Sequence, residues 1–474
     1  MSFDRSQVGE IELRVSLYRN GERLENEQGA YDLQPFVRGV EIYESIEQAT
    51  LECMLIIEDA AGLLGALTGS EIFQVIITTN LHTKTYNFRS YEISSRSRTN
   101  QNNDIYIVNC ASNEYIKNEI TNVFGNSDTI FNNKTEASQI VKHLLKNQKY
   151  IGSEKNVFVP ETLNKHQLII PNWRVFDTIY WIAQRTIRKK ASGKGFQNGF
   201  AFFENGLGFH FKAIDKMIDD INDMSPKDKT NKTTGKCRLY NYEYTPKKSD
   251  EGVRDTYKID KVVFPNERNF LNGLRHGTWS GYSIGFDPVT ISSSIMGTST
   301  DMSVDAYRYS LKETWKSMSH IGGEGTTNPF SKSDQEIQNM TDYPKRVRYT
   351  FLPNQNFDKN WFEKFSGSDF GAVLGGGTNK ASANYAELVE LQAYQWMRFE
   401  SLKNIKLQVE VPGNLDLYVG SGVEITLPST SKSGNKTPLD RKYSGRYMIA
   451  ALTHKTTGLN MTTEMFLVKD SVLK

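Results

Sequence analysis

Cysteine is scarce in this chain. Cys53, Cys110 and Cys237 are the only three, and no two share the spacing of a metal-ligand pair. A disulfide scaffold and a cysteine–zinc site are therefore excluded, and a reducing compartment is expected. Histidine is thin and scattered, at positions 82, 143, 166, 210, 276, 320 and 454, without the H-E-x-x-H frame of a zinc hydrolase. No apolar run approaches the roughly 18 residues of a membrane-spanning helix. The opening MSFDRSQVGE lacks the apolar stretch of a signal peptide. Neither charge sign predominates: 57 Lys and Arg face 55 Asp and Glu, net +2, which gives no global attraction for nucleic acid. ASGKGF lacks the full phosphate-loop frame, GLGFHF closes a hairpin rather than opening a helix, and no G-x-S-x-G elbow occurs. The acidic pairs Glu58–Asp59 and Asp219–Asp220 are ordinary for a wet surface. These absences point away from catalysis, and no cofactor or metal is expected.

What is present is a repeat. Near the front, ATLECMLII (Ala49–Ile57), GSEIFQVIITT (Gly69–Thr79), YNFRSYEIS (Tyr86–Ser94) and DIYIVNC (Asp104–Cys110) follow one another. Near the end, NIKLQVEV (Asn404–Val411), GSGVEITL (Gly420–Leu427), GRYMIAALTH (Gly445–His454) and NMTTEMFLV (Asn460–Val468) repeat the order, the Gly-Ser turn and the rough spacing. Ile11–Arg19 reads as a further strand. In the first copy Leu51, Cys53, Leu55 and Ile57 share one face, while Met54 and Ile56 make the other face apolar too, which predicts cover on both sides. In the second copy Ile405, Leu407, Val409 and Val411 alternate with polar residues, as in a strand with one wet face. SSRSRTNQNN reads as the polar tip of a projecting hairpin, with its counterpart at Thr453–Asn460.

Between the copies the texture changes. Thr135–Gln148 and Pro171–Lys190 carry helical apolar spacing, the second expected to begin near Asn172 and end at Lys189–Lys190. Gly199–Ile214 reads as a hairpin about Glu204-Asn205-Gly206. KMIDDINDMSPKDKTNKTTGK reads as a polar linker with a short helix, and CRLYNYEYTPKKSD as the return to the sheet. DTYKIDKVVF, GTWSGYSIGFD and RVRYTFL are strand-like, whereas GGEGTTNPFSKSD and FSGSDFGAVLGGGTNKASAN are flexible or extended by composition. Glu387–Glu400 reads as the last helix. The basic stretches Arg185–Lys194 and Tyr343–Tyr349 read as a solvated helix end and a charged strand.

The expected fold is α+β: two antiparallel β-modules with α/β domains inserted between them. The divisions fall at 1–111, 112–236, 237–384 and 385–474. Val37–Tyr43, Gln48–Ile57 with Glu58-Asp59, Leu63–Leu67 and Gly69–Ile77 resemble the first tube-like domain of the central baseplate hub protein of T-even-like contractile-tailed bacteriophages. PNWRVFDTIYWIAQRTI with FAFFENGLGFHFKAIDKM resembles that family's inserted domain, and the segments from Glu387 to Val468 resemble its second tube-like domain. The family is related to the hub part of type VI secretion spike proteins.

The resemblance implies a homotrimer whose six modules join a six-fold tail tube to a three-fold central spike. It implies that the two β-modules are tube-like antiparallel β-barrels or sandwiches, and that the genome passes through the channel without sequence-specific binding. It implies the tail tube protein, the central spike protein and baseplate wedge proteins as partners; the loop-rich span 281–383, extra to the family's minimal hub, is expected either to contact wedge proteins or to decorate the hub exterior. The spike is expected to be a separate polypeptide. It also implies a place in the virion tail baseplate after assembly in the bacterial host cytoplasm, and no enzymatic activity. A hub of a contractile secretion or injection system, a cell-wall or polysaccharide-degrading tail enzyme and a receptor-binding protein are the alternatives. Contacts between modules and partners are expected at Leu51, Met54, Ile56, Phe73, Arg96, Arg98, Ile405, Leu407, His454 and Lys455.

Overall fold

Antiparallel strands dominate the computed structural model, with helices set between and against them, so the α+β class holds. The structure describes residues 9–26, 29–30, 33–63, 67–69, 71–101, 103–125, 128–132, 135–166, 169–189, 197–245, 256–266, 268–286, 307–331, 333–344, 346–351, 380–430 and 438–474.

The first half is built from β1 (Glu12–Arg19), β2 (Val37–Ser45), β3 (Glu52–Asp59), β4 (Ile72–Thr78), β5 (Thr83–Asn100) and β6 (Asn103–Ser112). The middle supplies α1 (Ala137–Lys146), α2 (Val175–Ala183), the hairpin β7 (Phe200–Asn205) and β8 (Gly208–Ala213), and α3 (Ile214–Asn222). Then come β9 (Tyr240–Glu243), β10 (Lys261–Val263) and the long helix α4 (Lys380–Leu402). The second half is β11 (Ile405–Pro412), β12 (Gly422–Thr426), β13 (Gly445–Thr457) and β14 (Asn460–Lys469).

The repeat is realised strand for strand. The order β3-β6-β5-β4 in the first half becomes β11-β14-β13-β12 in the second, antiparallel throughout. The outer flanks differ, since β1 joins β4 antiparallel whereas β9 joins β12 parallel. Even the turn glycines correspond: Gly69 and Gly420 have φ of 85° and 79°, a left-handed conformation that favours glycine. Both halves belong to one thirteen-stranded sheet, because β2 pairs with β13 from Ser45↔Ala451 to Gly39↔Thr457.

Alternation explains the cores. Val15, Leu55, Phe73, Phe88 and Val108 turn their strands' inward faces into one apolar cluster, and Leu407, Val409, Ile425, Ile449 and Met465 do so in the second. The hairpin β7–β8 is buried on both faces. Phe202 and Phe209 pack with α1 and α2, while Phe203 joins the second-half core.

Several expectations are corrected. The short helix expected in the polar linker is there as α3, but it starts at Ile214, the last residue of the expected hairpin, and is amphipathic: Ile214, Met217, Ile218 and Ile221 enter the second-half core. The helix expected from Asn172 starts at Val175 and ends at Ala183, because Ile170–Arg174 pairs as a strand with Asn122–Gly125. The hairpin turns on Gly206-Leu207, one residue later than expected, since Asn205 pairs with Gly208. SSRSRTNQNN is not a loop: β5 continues through most of it, bulging at Ser94/Ser97, where Ser95 takes a φ of 53°. Within GGEGTTNPFSKSD, Thr326–Thr327 pairs with Val472–Leu473. Ser280–Phe286, Tyr307–Ser310 and Arg346–Phe351 form a three-stranded sheet as strand-like pieces. About half of the loop-rich span 281–383, including most of FSGSDFGAVLGGGTNKASAN, lies outside the described residues.

Candidate functional site

The seam between the two halves is where the chain departs most from an ordinary sheet. Along it Glu41 and Lys455 lie opposite each other, with the Lys455 ammonium 3.1 Å from the Glu41 carboxylate. That pair is on the wet face, so its contribution is small. The other face of the seam is dry and charged. Glu44 ends the inward row Val40, Ile42, Glu44 and accepts the backbone N–H groups of Gly206 at 2.9 Å and Val419 at 3.2 Å. Lys84 begins the inward row of β5 and places its ammonium 4.2 Å from the centre of the Tyr418 ring. Burial pushes the Lys84 ammonium down to about 8, while the Glu44 charge pulls the other way. Burial likewise pushes the Glu44 carboxyl up, against the pull of Lys84. His454, fully buried beside them, bonds Thr463 Oγ1 through Nδ1 at 3.0 Å. Burial, then the charge of Lys84, pushes its imidazole down to about 3, so it is neutral at pH 7. One buried cluster thus ties β2, β5, the β7–β8 turn and the second half together.

The expected contact residues divide into three groups. Leu51, Phe73, Ile405 and Leu407 are core residues of the two halves. His454 and Lys455 lie in the seam, one on each face. Met54, Ile56, Arg96 and Arg98 face outward: the first two are half-buried, and both arginines are exposed, gripping Asp104 at 2.6 and 2.9 Å. The outward faces of the two halves differ in character. In the first, Ile56 lies opposite Ile107; at the equivalent place in the second, Glu410 lies opposite Glu464. Like charges directly across a ladder are unfavourable, so that position is not optimised for sheet stability alone.

Below the second half, a cavity of about 610 Å³ is lined by Phe158, His210, Lys212, Met217, Cys237 and Gly420. His210 stacks between Phe158 and Phe203 at 4.7 and 4.9 Å and bonds Asn205 Oδ1 at 2.9 Å, an arrangement that fixes the ring. Deeper still, Arg398 of α4 is fully buried, 2.8 Å from Asp470 and 3.5 Å from Asp215. His320 and Tyr394 complete this network at 2.9 Å from Asp470 and Asp215 respectively. Burial opposes the Asp470 charge, but Arg398 and His320 hold its carboxyl down at about 2. The network spends its groups on one another, although Arg398 Nε finds no hydrogen-bond partner among the described residues. Among the described residues no cluster of three or more His, Cys, Asp or Glu is placed to hold a metal. Nor is any helix among them long and apolar enough to cross a membrane.

Sequence reasoning missed Glu44 and Lys84. Their signal was available, since V-x-I-x-E and K-x-Y-x-F each put a charge on an otherwise apolar face.

No protein-family model and no curated protein matches the chain. Solved structures do resemble it. A tail protein from Neisseria meningitidis MC58 is 10% identical over 97% of each chain, with a TM-score of 0.49. The 43 kDa tail protein of prophage MuSo2 from Shewanella oneidensis is 9% identical over 96% of this chain and 98% of its own, with a TM-score of 0.48. The lidded PdpA–VgrG complex of Francisella is 10% identical over 98% of this chain and 53% of the matched one, with a TM-score of 0.43.

Proposed function

We propose that this chain is the central hub of a contractile-tail baseplate, a homotrimer that presents six like modules to a six-fold tail tube and holds a three-fold spike at its other end. The observation that carries the reading is the doubled strand order, β3-β6-β5-β4 and β11-β14-β13-β12, within one polypeptide. Three chains with one module each cannot meet six equivalent tube subunits edge for edge; three chains with two can. The seam supports the same reading, because it sets both modules side by side in one sheet, as neighbours in a ring must stand. The modules are the tube-like units divided at 1–111 and 385–474, and the span 281–383 between them carries contacts to wedge proteins or decorates the hub exterior. The role is mechanical: binding, closing a ring and leaving an open passage for the genome.

Light scattering and negative-stain electron microscopy of the purified chain test this. A trimeric mass with a six-lobed face is expected. A stable monomer, or a ring of another count, would overturn it.

A further inference from the structure

The two equivalent hairpins, β5–β6 and β13–β14, are not equally covered. In the second half, the side of β13 away from β14 is filled twice. From Gly445 to Met448 it pairs with β12, and past the bulge at Ile449/Ala451 it pairs with β2 as far as Thr457. In the first half, β4 fills the same side of β5 from Thr83 to Arg89. Past the matching bulge at Ser90/Glu92, no strand among the described residues takes it. The residues there are largely exposed, Tyr91 by 52%. An open edge of this kind is a template for another strand.

The repeat also says which strand fits. What fills the edge of β13 is β2, the strand that flanks β3. The strand that flanks β11 in the same way is β10, and the registers align them residue for residue. Val40 lies opposite Leu55 and Glu41 opposite Met54, while Val262 lies opposite Val409 and Val263 opposite Gln408. β10 ends the sheet, with no second strand neighbour among the described residues. It runs into exposed apolar surface at Val263 and Phe264, 37% and 53% exposed. Within one chain six strands stand between β10 and β5 along the sheet, and the two do not pair with each other. A second copy can bring them together.

We infer that β10 of one copy adds antiparallel to the open half of β5 in a neighbouring copy, with Val263 opposite Ser97 and Val262 opposite Arg98. That register is the one β2 makes with β13, carried over through β6: Lys455 faces Thr462, whose counterpart Ile105 faces Ser97. The contact is heterologous, so repeated copies close a ring in which seams within a chain alternate with seams between chains. Its three-fold count rests on the hub reading; the pairing rests on the repeat alone. At the new seam the ion pair Glu41–Lys455 is replaced by Val263 and Ser97, with Phe264 adjoining.

The test is a Ser97→Cys/Val263→Cys double variant, since directly opposed antiparallel residues lie within disulfide reach and the three native cysteines are buried. Under mild oxidation the double variant should give a covalent species that closes at the trimer, and neither single variant should. Mass by light scattering under reducing conditions reads assembly separately. A trimer without that cross-link would overturn the pairing and leave the hub standing, with another occupant on β5. A cross-link closing at another count would uphold the pairing and overturn the three-fold hub. A monomer at every concentration would overturn both. Hydrogen exchange on the unaltered chain reads the pairing without any substitution: amides of 94–98 and 261–264 should slow together as the concentration rises, and unchanged exchange in the assembled form would overturn the pairing.

Discussion

The backbone N–H of Val40 donates to the hydroxyl of Thr456 at 2.9 Å, across 416 residues of sequence. Both groups are buried in the seam between the halves. Thr456→Val keeps the shape and removes the acceptor, which leaves a buried donor unmet at a cost of about 1–3 kcal/mol. Urea titration should show a lower midpoint with an unchanged slope.

Gly69 and Gly420 are equivalent turns with unequal surroundings. A Cβ at Gly69 meets nothing within 4 Å, whereas at Gly420 it lands 2.6 Å from the Phe203 ring. Gly69→Ala should therefore cost only the left-handed backbone penalty, about 1–2 kcal/mol. Gly420→Ala adds overpacking, about 1–3 kcal/mol more. Equal losses in thermal denaturation would contradict the packing difference.

Lys84 titrates at about 8 in the fold, against 10.5 as a free side chain. A depressed folded value means that its contribution to stability is present above pH 10.5 and is lost as pH falls toward 8. Relative to Lys84→Met, the unaltered chain should gain stability as pH rises between those limits. Parallel curves for the two proteins would show that Lys84 is not the group responsible.

Arg398 neutralises two buried carboxylates at once. Arg398→Met strands Asp215 and Asp470 in the interior, and breaking such a pair from one side costs about 3–5 kcal/mol. Arg398→Met combined with Asp215→Asn and Asp470→Asn should recover part of the loss. Asp470 adds a pH signature: its folded value is depressed from 3.8 to about 2, so its stabilisation is lost as pH falls through that window. Acid titration of the Asp470→Asn variant should lack that component.

The repeat was readable because a strand writes its buried face at every second residue, as at Leu51–Ile57 and Ile405–Val411. Long-range pairing leaves no such trace. Nothing in Val37–Ser45 says that its neighbour is Ala451–Thr457, because each strand would alternate identically beside any partner. The short helix α3 was legible, but its buried face of Ile214, Met217, Ile218 and Ile221 was not, because the aspartates between them gave the stretch a polar look. Glu44 and Lys84 were overlooked for the converse reason. A charge in a strand reads as wet unless its row is followed, and only the folded seam shows where both rows converge.

The seam has a consequence during synthesis. β2 leaves the ribosome long before its partner β13 has been made. At ~5–20 residues per second, their separation corresponds to ~20–80 s. Throughout that interval a nascent chain carries a bare, apolar-flanked strand able to mate with the same strand of a polysomal neighbour. Production of this protein is therefore exposed to cotranslational entanglement, which slower initiation or a holdase on the first hundred residues would relieve.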